Sequence, residues 1–289
     1  MSWFFLSLTA AITLATSDAL TKKFFSHLSP YEMGLIRFIY ALPLLVGAMF
    51  FIPWTTPDKT FFITIVVALP FEALAFFCYM TAIKKSPLSL TLPFLAFTPL
   101  FIILTGWVFL GETVTATGLF GIMMIVAGSY CLNLSHIATG YLEPFRAIIK
   151  EPGSRLMLLV SGIYSITATL GKLCILHSNP YVFGIVYFSI FTVLMLAAVP
   201  FVPGAHLKAI RALPWKGMLL GVTVAIMIFS HMLAISKIQA AYMISLKRTS
   251  LLFGVLYGAW WFKEEKIRER LTGAVIMVAG VFLIGWSGK

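Results

Sequence analysis

The chain has 289 residues, of which 60% are hydrophobic and 11% charged, with a mean hydropathy of +0.98. A soluble domain carries about 25% charged residues, so this composition excludes a soluble fold and predicts a polytopic helical membrane protein. The net charge of +11 would point to nucleic acid in a soluble chain, but here the basic residues sit mainly in short loops between apolar runs. That is a topology signal, and no nucleic-acid partner is expected.

Ten apolar runs of membrane length are predicted, at about 2–21, 31–52, 60–83, 88–110, 114–135, 155–176, 181–203, 215–235, 239–262 and 270–287. The first lacks a basic leader and a small-residue cleavage site, so it reads as a retained helix. Near its end Asp18 and Lys22 stand four residues apart, acid first, the favourable helical order, and an interfacial pair is expected. Arg37 lies about six residues inside the second span, where a cavity role and a snorkelling role weigh about equally. In the third span Glu72 follows Pro70 by two residues and sits ~18 Å deep, near mid-membrane. A carboxylate there is either protonated or paired with a cation. It reads as a proton-coupling switch or a ligand for a solute amine, and a fixed structural ion pair weighs as much.

Tyr79 and His231 occupy matched positions near the ends of the third and eighth spans. Gate or ligand contacts are open to both, although a satisfied interfacial ring is the commoner outcome. Lys172, near the end of the sixth span, is expected to snorkel. The ninth span carries Lys247 and Arg248 side by side, ~12–13 Å into a hydrocarbon layer ~30 Å thick. Each costs roughly 2.5–3.5 kcal/mol at such a depth, so they are expected to face a bundle interior or a wet cavity, with snorkelling to an interface or structural pairing with a carboxylate as the alternative. Ser245, Arg248, Thr249 and Leu252 share one helical face, and Lys247, Ser250, Leu251 and Gly254 the adjoining one. The candidate solute-binding residues are therefore Lys247, Arg248, Glu72, Arg37, Tyr79, His231, Ser245 and Thr249, with Glu72 the candidate for proton coupling.

The halves repeat. At an offset of 150 residues, Lys22, His27, Pro30, Tyr31, Gly34 and Phe38 match Lys172, His177, Pro180, Tyr181, Gly184 and Phe188. At an offset of 152, Met80, Ile83, Lys85, Gly106, Glu112, Gly121 and Gly128 match Met232, Ile235, Lys237, Gly258, Glu264, Gly273 and Gly280. Residues 1–139 form the first five-helix repeat, 140–153 a central loop, and 154–289 the second repeat. An odd number of spans per repeat inverts the second in the membrane, a plan common among secondary transporters with a site at the repeat interface. Loops on the side of the termini hold three of the 21 Lys and Arg, the opposite loops fourteen, and the spans four. The positive-inside rule then places both termini outside the cytoplasm, in a cell (inner) membrane.

Cys78, Cys131 and Cys174 fall inside spans at no metal-ligand spacing, so neither a disulfide framework nor a metal site is expected. The chain shows no phosphate-binding loop and no nucleophile with a partnering base, so neither a cofactor nor catalysis is expected.

The stretch AIKKSPLSLTLPFLAFTPLFIILTGWVFLGETVTATGLFGIMMIVAGSY from Ala82, with Arg37-Phe38, Pro99, Gly111-Glu112 and Gly121, resembles the half-repeat of the EamA-type, ten-helix branch of the drug/metabolite transporter superfamily. Ala234 to Gly280 is similar again, with Lys263-Glu264 in place of Gly-Glu and Leu251 in place of Pro99. The resemblance implies ten helices around a central cavity, peripheral fifth and tenth helices, and movement of small metabolites such as amino acids, often outward. With four cations inside the spans, Arg37, Lys172, Lys247 and Arg248, against Asp18 and Glu72, the expected function is secondary transport of a small anionic metabolite, an amino acid or other carboxylate, by alternating access. Lipid-linked or cationic drug-like substrates, and a non-transporting membrane scaffold or sensor, stand as alternatives. Partners are the solute and the lipid bilayer; proton or counter-solute coupling and a homodimer are left open.

Overall fold

In a computed structural model, residues 2–86, 91–131, 151–206, 214–263 and 267–287 are described. They are helical throughout apart from short connections. The helices are α1 (Ser2–Phe25), α2 (Pro30–Ala48), α3 (Lys59–Lys85), α4 (Thr98–Leu110), α5 (Ala116–Cys131), α6 (Pro152–Leu176), α7 (Pro180–Ala198), α8 (Pro214–Ile235), α9 (Ala240–Lys247), α10 (Ser250–Phe262) and α11 (Ile267–Ser287). Six of them, α1, α2, α3, α6, α7 (extended to Phe201) and α8, are each long and apolar enough to cross a membrane. Most of the predicted central loop 140–153, and Glu264, lie outside the described residues.

Helix starts obey local chemistry. The Ser29 hydroxyl and Glu32 carboxylate form a capping box on α2, Asp58 caps α3, Glu151 caps α6 and Asn179 caps α7, with proline in the first turn of α2, α6 and α7. Each cap satisfies a backbone N–H that would otherwise be left without a partner. Gly111 ends α4 in the left-handed conformation (φ 66°), and its repeat mate Lys263 ends α10 in the same conformation (φ 52°), strained for a residue with a side chain. The Gly-Glu turn is thus reproduced in the second half by a residue ill suited to it.

Two spans are not the continuous helices that hydropathy predicts. The fourth begins as a 3₁₀ turn, Leu92–Phe97, before α4. The ninth breaks at Arg248-Thr249, where Arg248 N–H reaches Ser245 O and Thr249 N–H reaches Leu246 O, a tighter turn than the α-helix makes. At the offset of 152, residues 92–97 correspond to 244–249, so the two interruptions occupy matched places in the repeats. Hydropathy cannot register a break in which every residue stays apolar or buried.

The packing obeys a pseudo-two-fold. Helix α1 packs on α8, and its counterpart α6 packs on α3. Phe38 and its mate Phe188 stack on one another at 5.5 Å and 19°, which puts the axis between them. Helices α5 and α11 form a separate pair, as the resemblance implies. A Cβ added at Gly128 would lie 2.6 Å from Gly273 O, and one at Gly280 2.6 Å from Gly121 O. Only glycine permits that approach. Between repeats, α8 also closes on α2, where a Cβ at Gly221 would meet the Tyr40 carbonyl at 2.4 Å.

Candidate functional site

The breaks in the fourth and ninth spans meet at mid-depth. Arg248 sits at the end of α9, and its Nη2 donates to Thr98 Oγ1 at 2.8 Å, at the junction of the 3₁₀ turn with α4. An interrupted helix carries backbone and side chain to a position that a continuous helix would cover, and it is tolerated where it lines a cavity. The two junctions border a cavity of about 130 Å³. From Arg248 and Thr98 the lining runs past Glu72, Tyr164, Tyr187 and His231 to Lys172, Phe183 and Ile235, which lie in the last turns of α6 and α8 and the first of α7, on the side of the termini.

Six of the predicted residues, Arg37, Glu72, Tyr79, His231, Lys247 and Arg248, converge on this cavity from α2, α3, α8 and α9. Ser245 and Thr249 do not join them. Their hydroxyls turn back onto Ala241 O and Leu246 O of their own helix, and neither borders the cavity. Tyr79 and His231 line the cavity rather than sitting as interfacial rings.

Of the four intramembrane cations, two are neutralised locally, in ways that spacing along one helix does not predict. Asp18 does not pair with Lys22. Its carboxylate accepts from Arg37 Nη1 at 2.7 Å and from the Tyr79 hydroxyl at 2.5 Å, while Arg37 Nη2 donates to Ser17 Oγ at 2.7 Å. The Asp18 and Arg37 side chains are only 3% and 4% exposed, so Arg37 does not snorkel. Lys22 instead donates to Ser86 O at 2.8 Å. Lys172 is likewise held inside, paired with Glu112 and donating to Ile238 O at 2.5 Å. Glu112 also accepts from Ala240 N–H at 2.8 Å, so one carboxylate ties the α4–α5 turn, α6 and the start of α9 together.

The remaining two cations face the cavity without a carboxylate in ion-pair range among the described residues. Lys247 Nζ lies 2.7 Å from His231 Nδ1 and donates to Met227 Sδ at 3.5 Å. With Nζ as the donor, the imidazole is neutral at that nitrogen. Among the described residues Arg248 Nε, Arg37 Nε and the Tyr187 hydroxyl are buried with no hydrogen-bond partner. Buried polar atoms are nearly always satisfied, so unpaired donors beside a cavity are unusual. Glu72 is hydrogen-bonded to Thr167 and lines the same cavity as Lys247 and Arg248. Around these groups the wall is apolar and aromatic: Phe38, Phe76, Phe183, Phe188, Met227 and Ile228.

Sequence reasoning missed Thr98, Tyr164, Thr167 and Tyr187. The repeat held the signal for two of them. Tyr187 is the mate of Arg37 and Tyr164 the mate of Leu14, and all four line the cavity. The repeats also diverge informatively. Where the first has Asp18 to hold Arg37, the second has Ala168 beside Tyr187, and the hydroxyl is left unpaired. The cysteines Cys78, Cys131 and Cys174 are free thiols, and no metal-binding cluster of His, Cys, Asp and Glu occurs among the described residues.

Residues 1–134 match the EamA-like transporter family. A solved structure titled only as a crystal structure of a protein superposes with a TM-score of 0.72 at 15% identity, covering 100% of this chain and 98% of that one, which establishes a shared fold. A search of curated proteins finds no match.

Proposed function

We propose that this chain is a multi-pass membrane transporter of the EamA type, and that it moves a small metabolite bearing an anionic group, a carboxylate in first place, by alternating access between two inverted repeats. The observation that carries the reading is the imbalance of charge at the cavity. Arg37 and Lys172 are neutralised by Asp18 and Glu112, which leaves Lys247 and Arg248 facing Glu72. An unpaired buried cation costs several kcal/mol, and a bound carboxylate offsets that cost. In the proposed complex Arg248 and Lys247 hold the carboxylate, Tyr187 donates to a second acceptor on the solute, and Glu72 takes a proton or the solute's amine. The aromatic wall packs the solute's apolar part. Two packings related by the pseudo-two-fold supply the alternation. Lys and Arg placement supports termini outside the cytoplasm.

A thermal-shift screen of purified protein against small carboxylates and amino acids at two pH values identifies the solute, since only a ligand of the folded state stabilises by mass action. Uptake of that solute into proteoliposomes then tests the roles. Arg248→Ala and Lys247→Ala each lose roughly 30-fold or more in affinity, the low end of about 2–5 kcal/mol for truncating one partner of a buried charge pair. Tyr187→Phe loses roughly five- to tenfold, about the worth of one hydrogen bond, and does not lower the melting temperature, because the hydroxyl it removes has no partner in the unliganded protein. Undiminished uptake by both cation variants rejects the reading.

A second reading, a cationic, drug-like solute, is supported by Glu72, the one carboxylate among the described residues lining a cavity that also has the Tyr164 and Tyr187 rings. Uptake that depends on Glu72 but is indifferent to Lys247 and Arg248 selects it.

A further inference from the structure

At the opposite face from the termini, three helices bring together a ladder of rings and ammonium groups that the transport site does not use. Lys23 Nζ, at the end of α1, lies 4.3 Å from the Trp261 ring of α10 and 5.8 Å from the ring of Phe24. Lys216 Nζ, in the first turn of α8, lies 4.6 Å from the same Phe24 ring and 5.6 Å from Trp215. Phe24 and Trp215 are themselves in contact at 6.2 Å. The order across the ladder is Trp215, Lys216, Phe24, Lys23, Trp261. Neither ammonium forms an ion pair with a carboxylate among the described residues.

A ring face attracts a cation, but it supplies no hydrogen-bond acceptor for the three N–H groups of an ammonium. Lys23 is exposed, so those donors remain available on the side away from the rings. Both ammonium groups flank one ring, which limits their separation to about 10 Å. A phosphate diester with its glycerol spans that gap. Trp215 is 62% exposed, and the helical stripe beneath it, Met218, Val222 and Ile226, is exposed and apolar, running toward the bilayer centre. Tryptophan at this position marks the headgroup level, and this is the face that gathers fourteen of the 21 Lys and Arg.

We propose that Lys23 and Lys216 form a binding site for the phosphate of an anionic phospholipid, with an acyl chain along the Trp215, Met218, Val222 and Ile226 stripe of α8. The site joins α1 to α8 and α10, so one lipid bridges the two repeats at the face where α2 and α8 are already closed. It is independent of which solute the transporter carries.

The test is lipid retention by the full-length protein purified from an equal mixture of phosphatidylglycerol and phosphatidylcholine, read by native mass spectrometry. Each lysine near an anionic headgroup contributes about fivefold, so the wild type retains phosphatidylglycerol by roughly 25-fold over phosphatidylcholine. Lys23→Gln/Lys216→Gln brings the ratio to near parity, Lys23→Arg/Lys216→Arg keeps it, and Lys59→Gln, on the other face, leaves it unchanged. Parity in the wild type overturns the proposal without reference to any variant, and so does an undiminished ratio in the double glutamine variant. Release of the lipid by millimolar inorganic phosphate assigns the site to a free anion and overturns the lipid.

Discussion

Removing the Asp18 carboxylate strands Arg37. Among the described residues the guanidinium then keeps only Ser17 as a hydrogen-bond partner, its Nε has none, and the Tyr79 hydroxyl loses its acceptor. Because both partners are almost fully buried, the Coulomb attraction at 2.7 Å is little screened, and water cannot replace the lost charge. Breaking a buried pair from one side costs about 3–5 kcal/mol. The unsatisfied tyrosine adds roughly 1 kcal/mol. Asp18→Ala is therefore expected to lower stability by about 4–6 kcal/mol, a fall on the order of 10 °C in melting temperature for a chain of this size. Removing the stranded cation as well relieves most of that penalty. Asp18→Ala/Arg37→Met is expected to melt above Asp18→Ala, with a coupling of at least about 2 kcal/mol in the double-mutant cycle. Purified variants in one detergent, melted side by side, provide the measurement. If Asp18→Ala costs less than about 1 kcal/mol, or the double variant is simply the sum of the single ones, Arg37 is not held by Asp18 and belongs with Lys247 and Arg248.

Two glycines separate close packing from intrinsic helix preference. A Cβ at Gly128 would press on Gly273 O, so Gly128→Ala is expected to cost about 1–3 kcal/mol in melting experiments. Gly162 has nothing within 4 Å of its would-be Cβ, so Gly162→Ala gains up to about 1 kcal/mol of helix propensity. Equal behaviour of the two would refute the account of the α5–α11 contact. At the face of the termini, the Phe61 N–H bonded to the Asp58 carboxylate, helped by His177 at 2.7 Å, holds Asp58 below the usual carboxylate range. A depressed carboxylate stabilises above its unfolded pKa of about 3.9, and the contribution disappears as pH falls through the lower folded value. The difference in melting temperature between wild type and Asp58→Ala should therefore be present above about pH 4 and close on further acidification. A difference that persists at the acid end rules out the carboxylate as its source.

The spans and the repeat were legible because hydrocarbon imposes a coarse code of long apolar runs punctuated by charge and turn residues. Mid-depth charge was legible for the same reason: Glu72, Lys247 and Arg248 stood out as costly, and all three reach the cavity. Spacing along one helix misled at Asp18, whose neighbour four residues on, Lys22, bonds to Ser86 O, while its true partners come from α2 and α3. The shared-face argument failed for Ser245 and Thr249. Sharing a face does not free a hydroxyl for the cavity: Ser245 bonds back to Ala241 O and Thr249 to Leu246 O.

Composition and the length of the apolar runs settled by themselves that this chain is a helical membrane protein, because a backbone in lipid must satisfy its own hydrogen bonds and leaves the sequence few other options. Which charges pair with one another and which line the cavity without an ion-pair partner among the described residues was decided only in three dimensions. That choice depends on how each helix is rotated and where it breaks, and contacts such as Tyr40 on Gly221 and Arg248 on Thr98 fix both across more than a hundred residues of chain.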